Sequence, residues 1–133
     1  MHWPPVIVLD PASPAAPYEQ LRSQLIAWIA AHRLEPGAQL PSVRQLARDL
    51  NLAPNTVVRA YDELQQSGWI VATPRKGFVV AAIPPAMVEE ERQRRLRNAV
   101  AHLVAVVRQW QVDPLVAHTE LDQQLHAGKG QAQ

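Results

Sequence analysis

The sequence predicts a mainly α protein with one small β-hairpin, arranged as a three-helix unit that ends in the hairpin and is followed by a pair of helices. Three observations predict this. Apolar residues recur at spacings of three and four through most of the chain, which is the helical period. That period gives way once, between Trp69 and Ala81, to two short β-prone runs around a turn. Ile83-Pro84-Pro85 then interrupts the pattern and marks a boundary. The chain therefore divides into residues 1–83, residues 84–127 and a tail, 128–133, expected to be frayed and disordered.

Pro4, Pro5, Pro11, Pro14 and Pro17 punctuate the start, so only the stretch from Val6 to Leu9 is free to form a short strand-like arm. Tyr18, Leu21, Leu25, Trp28 and Ile29 then make one apolar face, a first helix expected to run until the Glu35-Pro36-Gly37 turn. Ser42-x-x-Gln45 reads as a capping box, in which the Ser hydroxyl accepts from a first-turn N–H and the Gln side chain reaches back. The helix it opens carries Val43, Leu46, Ala47 and Leu50 and breaks near Asn51. Pro54 suits the first position of a third helix, because its missing N–H would have no partner there. That helix should end at Ser67, with Gly68 as its stop and with Val57, Ala60, Tyr61 and Leu64 facing inward. Trp69 to Thr73 and Phe78 to Ala81 form the hairpin strands, joined by the basic tip Pro74-Arg75-Lys76-Gly77. Trp28, Tyr61 and Trp69 read as core. A long amphipathic helix follows over 87–110, and Asp113-Pro114 pairs an N-cap with a first-turn proline to start the last one.

Composition narrows the function. The chain has 133 residues, 47% hydrophobic and 19% charged, which suffices for one modest core. With no Cys, disulfides, thiolate zinc sites, iron–sulfur clusters and a cysteine nucleophile are excluded. The five His are scattered, and there is neither a Gly-rich phosphate loop nor a carboxylate pair flanked by turns, so no enzyme and no cofactor is expected. No apolar run is long enough to cross a membrane, and the first ten residues lack a basic signal-peptide start, so a soluble, cytoplasmic protein is expected. His118, Asp122 and His126 share one helix face, but one straight helix spreads three ligands too far for one ion, so a polar outer face is the simpler reading.

Net charge is only +1, yet its distribution is uneven. Residues 41–80 hold Arg44, Arg48, Arg59, Arg75 and Lys76 against Asp49, Asp62 and Glu63. Two helices with a short break, the second opened by proline and followed by a cationic hairpin, describe a winged helix-turn-helix. Such a unit places its second helix in the major groove of double-stranded DNA and reads bases from that helix's first turns. Here those turns display Asn55, suited to adenine, Thr56, suited to phosphate or base, and Arg59, suited to guanine or phosphate. Val58 lies between them and has only a thymine methyl to touch. A winged helix that binds protein instead is the alternative, one that would dispense with polar residues at that helix start.

The same residues resemble the GntR-type bacterial transcription regulators. Tyr18-Glu19-Gln20-Leu21, Glu35-Pro36-Gly37, Leu40-Pro41-Ser42-x-Arg44-x-Leu46-Ala47 and Pro54-Asn55-Thr56-Val57-x-Arg59-Ala60-Tyr61-x-x-Leu64 match that family's N-terminal domain in order and spacing. The resemblance covers roughly residues 6–82 and implies DNA contacts at Arg44, Asn55, Thr56, Arg59 and Gly77. It departs from the family at Ala53, where a capping side chain is usual, at Val58, often arginine, and at the shortened tip, which lacks the second wing glycine. The short remainder after Pro84 resembles the YtrA-like subgroup, whose C-terminal helices serve mainly for dimerisation and many of whose members repress transporter operons. The residues agree with that expectation. Leu96, Val100, Leu103, Val107 and Trp110 on one helix, with Leu115 and Leu121 on the next, have little domain to bury against. A homodimer on a pseudo-palindromic operator is expected, and no pattern identifies a small-molecule effector. Arg92, Arg94, Arg95 and Arg97 should pair with Glu89, Glu90 and Glu91 along the helix surface.

Overall fold

The computed structural model describes residues 7–131 and contains seven elements in chain order: α1 (Pro17–Ala30), α2 (Val43–Leu50), α3 (Pro54–Gln66), β1 (Ile70–Thr73), β2 (Gly77–Val80), α4 (Pro85–Gln109) and α5 (Pro114–Gln131). It falls into two units, Met1–Val88 and Glu89–Gln133, with the division inside α4.

In the first unit α3 is the central element and touches α1, α2 and β1. Its inward face, Val57, Ala60, Tyr61 and Leu64, is fully buried with Leu21 and Leu25 of α1 and Ile70 of β1. Ile7, Ile26, Ile29, Leu34, Leu40, Leu46, Ala47, Trp69 and Val80 complete this core, while Trp28 only packs against its edge. Fully burying an aliphatic or aromatic side chain stabilises by about 1.5–3 kcal/mol, so this one cluster holds the unit together. Residues 7–10 form no strand. They run as an arm pinned by side chains of α1: the Val8 N–H donates to Gln24 Oε1 at 3.0 Å and the Asp10 N–H to Gln20 Oε1 at 2.7 Å. Val6 lies outside the described residues.

Local chemistry sets the helix ends. α1 stops at Ala30, short of the predicted turn, because His32 takes a left-handed conformation (φ 59°) and the Arg33 N–H returns to the Trp28 carbonyl at 2.9 Å. That C-terminal cap lacks its usual glycine, so nothing in the sequence marked it. At α2 only half of the capping box forms: Ser42 Oγ accepts from the Gln45 N–H at 3.1 Å, but the Gln45 side chain donates to Asp49 Oδ1 instead. α3 begins at Pro54 without a side-chain cap, as Ala53 dictates, and ends at Gln66, two residues before Gly68, whose φ of +86° suits glycine.

β1 and β2 are antiparallel, with Ile70 opposite Val80 and Thr73 opposite Gly77. A third segment joins them. Gln39 bridges Val79, the Leu40 N–H donates to the Phe78 carbonyl at 2.8 Å, and the Val80 N–H donates to the Ala38 carbonyl at 2.9 Å. The loop between α1 and α2 is thereby an edge of the hairpin.

The second unit contains most of α4 and all of α5, joined through Gln111 in a left-handed conformation (φ 53°), with Asp113 Oδ1 accepting from the Leu115 N–H at 2.9 Å. α5 continues to Gln131, so the predicted tail is helical as far as it is described: Gly128 lowers helix propensity but does not stop the helix. Residues 132–133 of that tail lie outside the described residues. Arg92 pairs with Glu89, and Arg94 and Arg95 both pair with Glu91, whereas Arg97 forms no ion pair among the described residues. Burial opposes ionisation of Glu91, but hydrogen bonds from both arginines outweigh it and hold the carboxyl below its ordinary value. No described side chain beyond Val80 is buried.

Candidate nucleic-acid interface

The outward face of α3 follows from its period. With Val57, Ala60 and Tyr61 committed to the core, Asn55, Val58 and Arg59 are exposed and Thr56 is half-buried. Asn55 and Thr56 lie in the first turn, the end that approaches base edges when such a helix enters the major groove. Arg59 lies one turn on, and the structure gives it partners that the sequence did not announce. Its guanidinium carbon sits 3.7 Å from the centre of the Tyr18 ring, and its Nε lies 3.6 Å from Glu63 Oε2. Glu63 also binds Arg22 of α1. Arg59 is therefore steered by α1 and by its own helix, although its side chain stays 62% exposed.

α2 presents Arg44 and Arg48, four residues apart and both exposed. Among the described residues neither forms an ion pair, and the same holds for Arg75 and Lys76. Arg48 was not singled out from the sequence; the i, i+4 spacing from Arg44 was the signal that could have found it.

The hairpin tip is built by Thr73. Its Oγ1 accepts from the Lys76 N–H at 3.0 Å and donates to the Gly77 carbonyl at 2.9 Å, closing the turn around Arg75. Gly77 has φ +66°; a side chain would have room there but would have to accept a left-handed backbone. Because residues 37–40 pair with β2, the tip stands beside the start of α2. Arg75, Lys76 and Gly77 share a groove of about 340 Å³ with Gln39, Pro41 and Ser42. Tyr61 braces the arrangement: its hydroxyl donates to the Pro41 carbonyl at 2.8 Å, and its ring meets Phe78 edge-on at 5.4 Å. Burial pushes that phenol well above its ordinary pKa, so it stays a donor at every physiological pH.

His118, Asp122 and His126 do not assemble a metal site. His126 Nδ1 lies 2.8 Å from the Asp122 carbonyl, and no metal-binding cluster occurs among the described residues. No described helix is long and apolar enough to cross a membrane.

A helix with a polar exposed first half, a second helix packed across it and a cationic hairpin beside both define a winged helix-turn-helix DNA-binding protein. Residues 17–80 match the model for bacterial regulatory proteins of the gntR family. The HTH-type transcriptional repressor YtrA of Bacillus subtilis is 30% identical over 99 residues, covering 74% of this chain and 76% of that protein. The HTH-type transcriptional regulator Rv1152 of Mycobacterium tuberculosis is 41% identical over 68 residues, covering 51% of this chain and 56% of its own length. Among solved structures, YtrA from Sulfolobus acidocaldarius, a GntR-family transcription factor, superposes with a TM-score of 0.59 at 32% identity, covering 76% of this chain and 99% of that one. The chain belongs to the GntR family, as a YtrA-like DNA-binding transcription regulator.

Proposed function

We propose that this protein represses transcription as a homodimer, residues 1–83 binding one half of a pseudo-palindromic operator and the helices after Pro84 pairing two copies. The reading is carried by the division of α3 into a buried face that holds the fold together and an outward first half that carries Asn55, Thr56 and Arg59. Asn55, Thr56 and Arg59 read or position the operator from the major groove, Arg44 binds phosphate, and Arg75, Lys76 and Gly77 of the wing follow the adjoining backbone.

Dimerisation is supported by the second unit. α4 buries no residue, and Leu96, Val100, Leu103, Trp110, Leu115 and Leu121 are each more than one-third exposed, with Val107 half-buried. Between α4 and α5 lies an apolar groove of about 400 Å³ that includes Val100, Leu103, Val107 and Leu121. Pairing this surface with its copy hides both.

The test is selection of duplexes from random DNA by the purified protein, followed by titration of the preferred duplex. Asn55→Ala and Arg59→Ala should each cost about 1–3 kcal/mol on the selected site and relax the preference at one position. An equal loss on random DNA would move Arg59 from base to phosphate; the absence of any selected sequence would overturn the reading.

A further inference from the structure

We propose that Val58 is a specificity-determining residue that reads the 5-methyl group of a thymine in the operator half-site. The inference rests on the assignment of α3 to the major groove and says what one of its side chains recognises there.

Within α3 (Pro54–Gln66), Val58 is the only large apolar side chain left exposed, at 38%. It lies outside the core, whose residues on this helix are Val57, Ala60, Tyr61 and Leu64. Its helix propensity is lower than that of Lys, Arg or Gln, so an exposed helix position gains nothing locally from a β-branched residue. Its place is specific: one turn beyond Asn55 on the same exposed face, and next to Arg59, which Tyr18 and Glu63 engage.

The chemistry leaves one target. Valine has no donor or acceptor, so it binds neither phosphate oxygens nor the polar edges of guanine, cytosine or adenine. The apolar group that B-DNA displays on the floor of the major groove is the thymine 5-methyl. Stiffness favours the contact as well, because a valine in a helix keeps one preferred rotamer and has little side-chain freedom to lose.

The experiment uses the full chain and the duplex it selects from random DNA. Each thymine of one half-site is replaced in turn by deoxyuridine, which removes the methyl and keeps base pairing and the O4 acceptor. At one position the replacement should weaken the unaltered protein about fourfold, the worth of one buried methyl-sized group. Val58→Ala should weaken binding to the thymine duplex by a comparable factor and bind the deoxyuridine duplex no worse than the thymine one. Its thermal melting should match that of the unaltered protein. A selected half-site without thymine, indifference of the unaltered protein to every replacement, or a Val58→Ala variant as sensitive to deoxyuridine as its parent would each overturn the proposal. Asn55→Ala separates this from failure of the underlying assignment. If that variant loses affinity while no replacement does, only the Val58 contact falls; if Asn55→Ala and Arg59→Ala both bind as tightly as the unaltered protein, α3 does not read the duplex and both fall.

Discussion

Arg59 is held before any DNA arrives. An arginine over an aromatic face at an exposed site is stabilised by about 0.5–1 kcal/mol, and its pairing with Glu63 at i+4 adds about 0.3–0.5 kcal/mol. Both are small, so the guanidinium can leave for a stronger partner, but they bias its rotamer and reduce the freedom it loses on binding. Arg44 is different. No residue of the fold engages it in an ion pair among the described residues, and it lies in the first turn of α2, where the helix dipole does nothing to hold a cation. A free, solvated arginine there fits a phosphate better than a base. Arg44→Ala should therefore weaken binding to selected and random duplexes alike, and the slope of log affinity against log salt should fall by about 0.9. An unchanged slope would take the phosphate role away from Arg44. The exposure of Asn55 and Arg59, with Thr56 half-buried beside them, was legible because helical periodicity is local. The Tyr18 contact was not legible, since Tyr18 and Arg59 meet only once α1 has packed on α3, whereas the Glu63 pairing could have been read from its i, i+4 spacing.

At the scale of elements, the helices were legible from apolar spacing and from prolines at Pro54 and Pro114, and the hairpin from its switch of period. What escaped was long-range pairing. Nothing near Gln39 says that it will meet Val79, because the partner lies far along the chain and the segment is too short to show alternation. That pairing matters to function, since it fixes the wing beside the N-terminus of α2. The tip itself is closed by Thr73 rather than by a second glycine, so its two cations ride on a braced turn. Arg75→Ala with Lys76→Ala should cost affinity that depends steeply on salt, similar for selected and random duplexes, and leave the melting temperature of the protein unchanged. Full affinity at low salt would make the wing a structural element only. Loss of sequence preference at a particular position would instead mean that the tip reads the minor groove.

On the scale of the whole molecule, the two units are stabilised differently. The buried residues among those described all lie between Ile7 and Val80, so the first unit carries its own core. The described residues of the second form none: Trp110 is 73% exposed and Leu115 70%. A helical hairpin in that state exposes a continuous apolar stripe, and each side chain that a partner covers is worth up to about 1.5–3 kcal/mol. Covering such a surface with a second copy removes it from water. A dimer also changes the arithmetic of recognition, because one recognition helix offers a handful of contacts, whereas two joined on a two-fold site can raise affinity about 10²- to 10⁴-fold with no new contact to the bases. Leu103→Asp with Val107→Asp places two charges in the apolar groove between α4 and α5, on the exposed faces of a helix whose own backbone bonds are intact. The variant should sediment as a monomer at micromolar concentration, keep the cooperative melting of the first unit, and bind a full operator hardly better than a half-site. A chain ending at Val88 should behave in the same way, since it retains every buried residue described. If the intact protein sediments as a monomer and still binds its operator tightly, the apolar faces of α4 and α5 serve another partner and the operator is read by single copies.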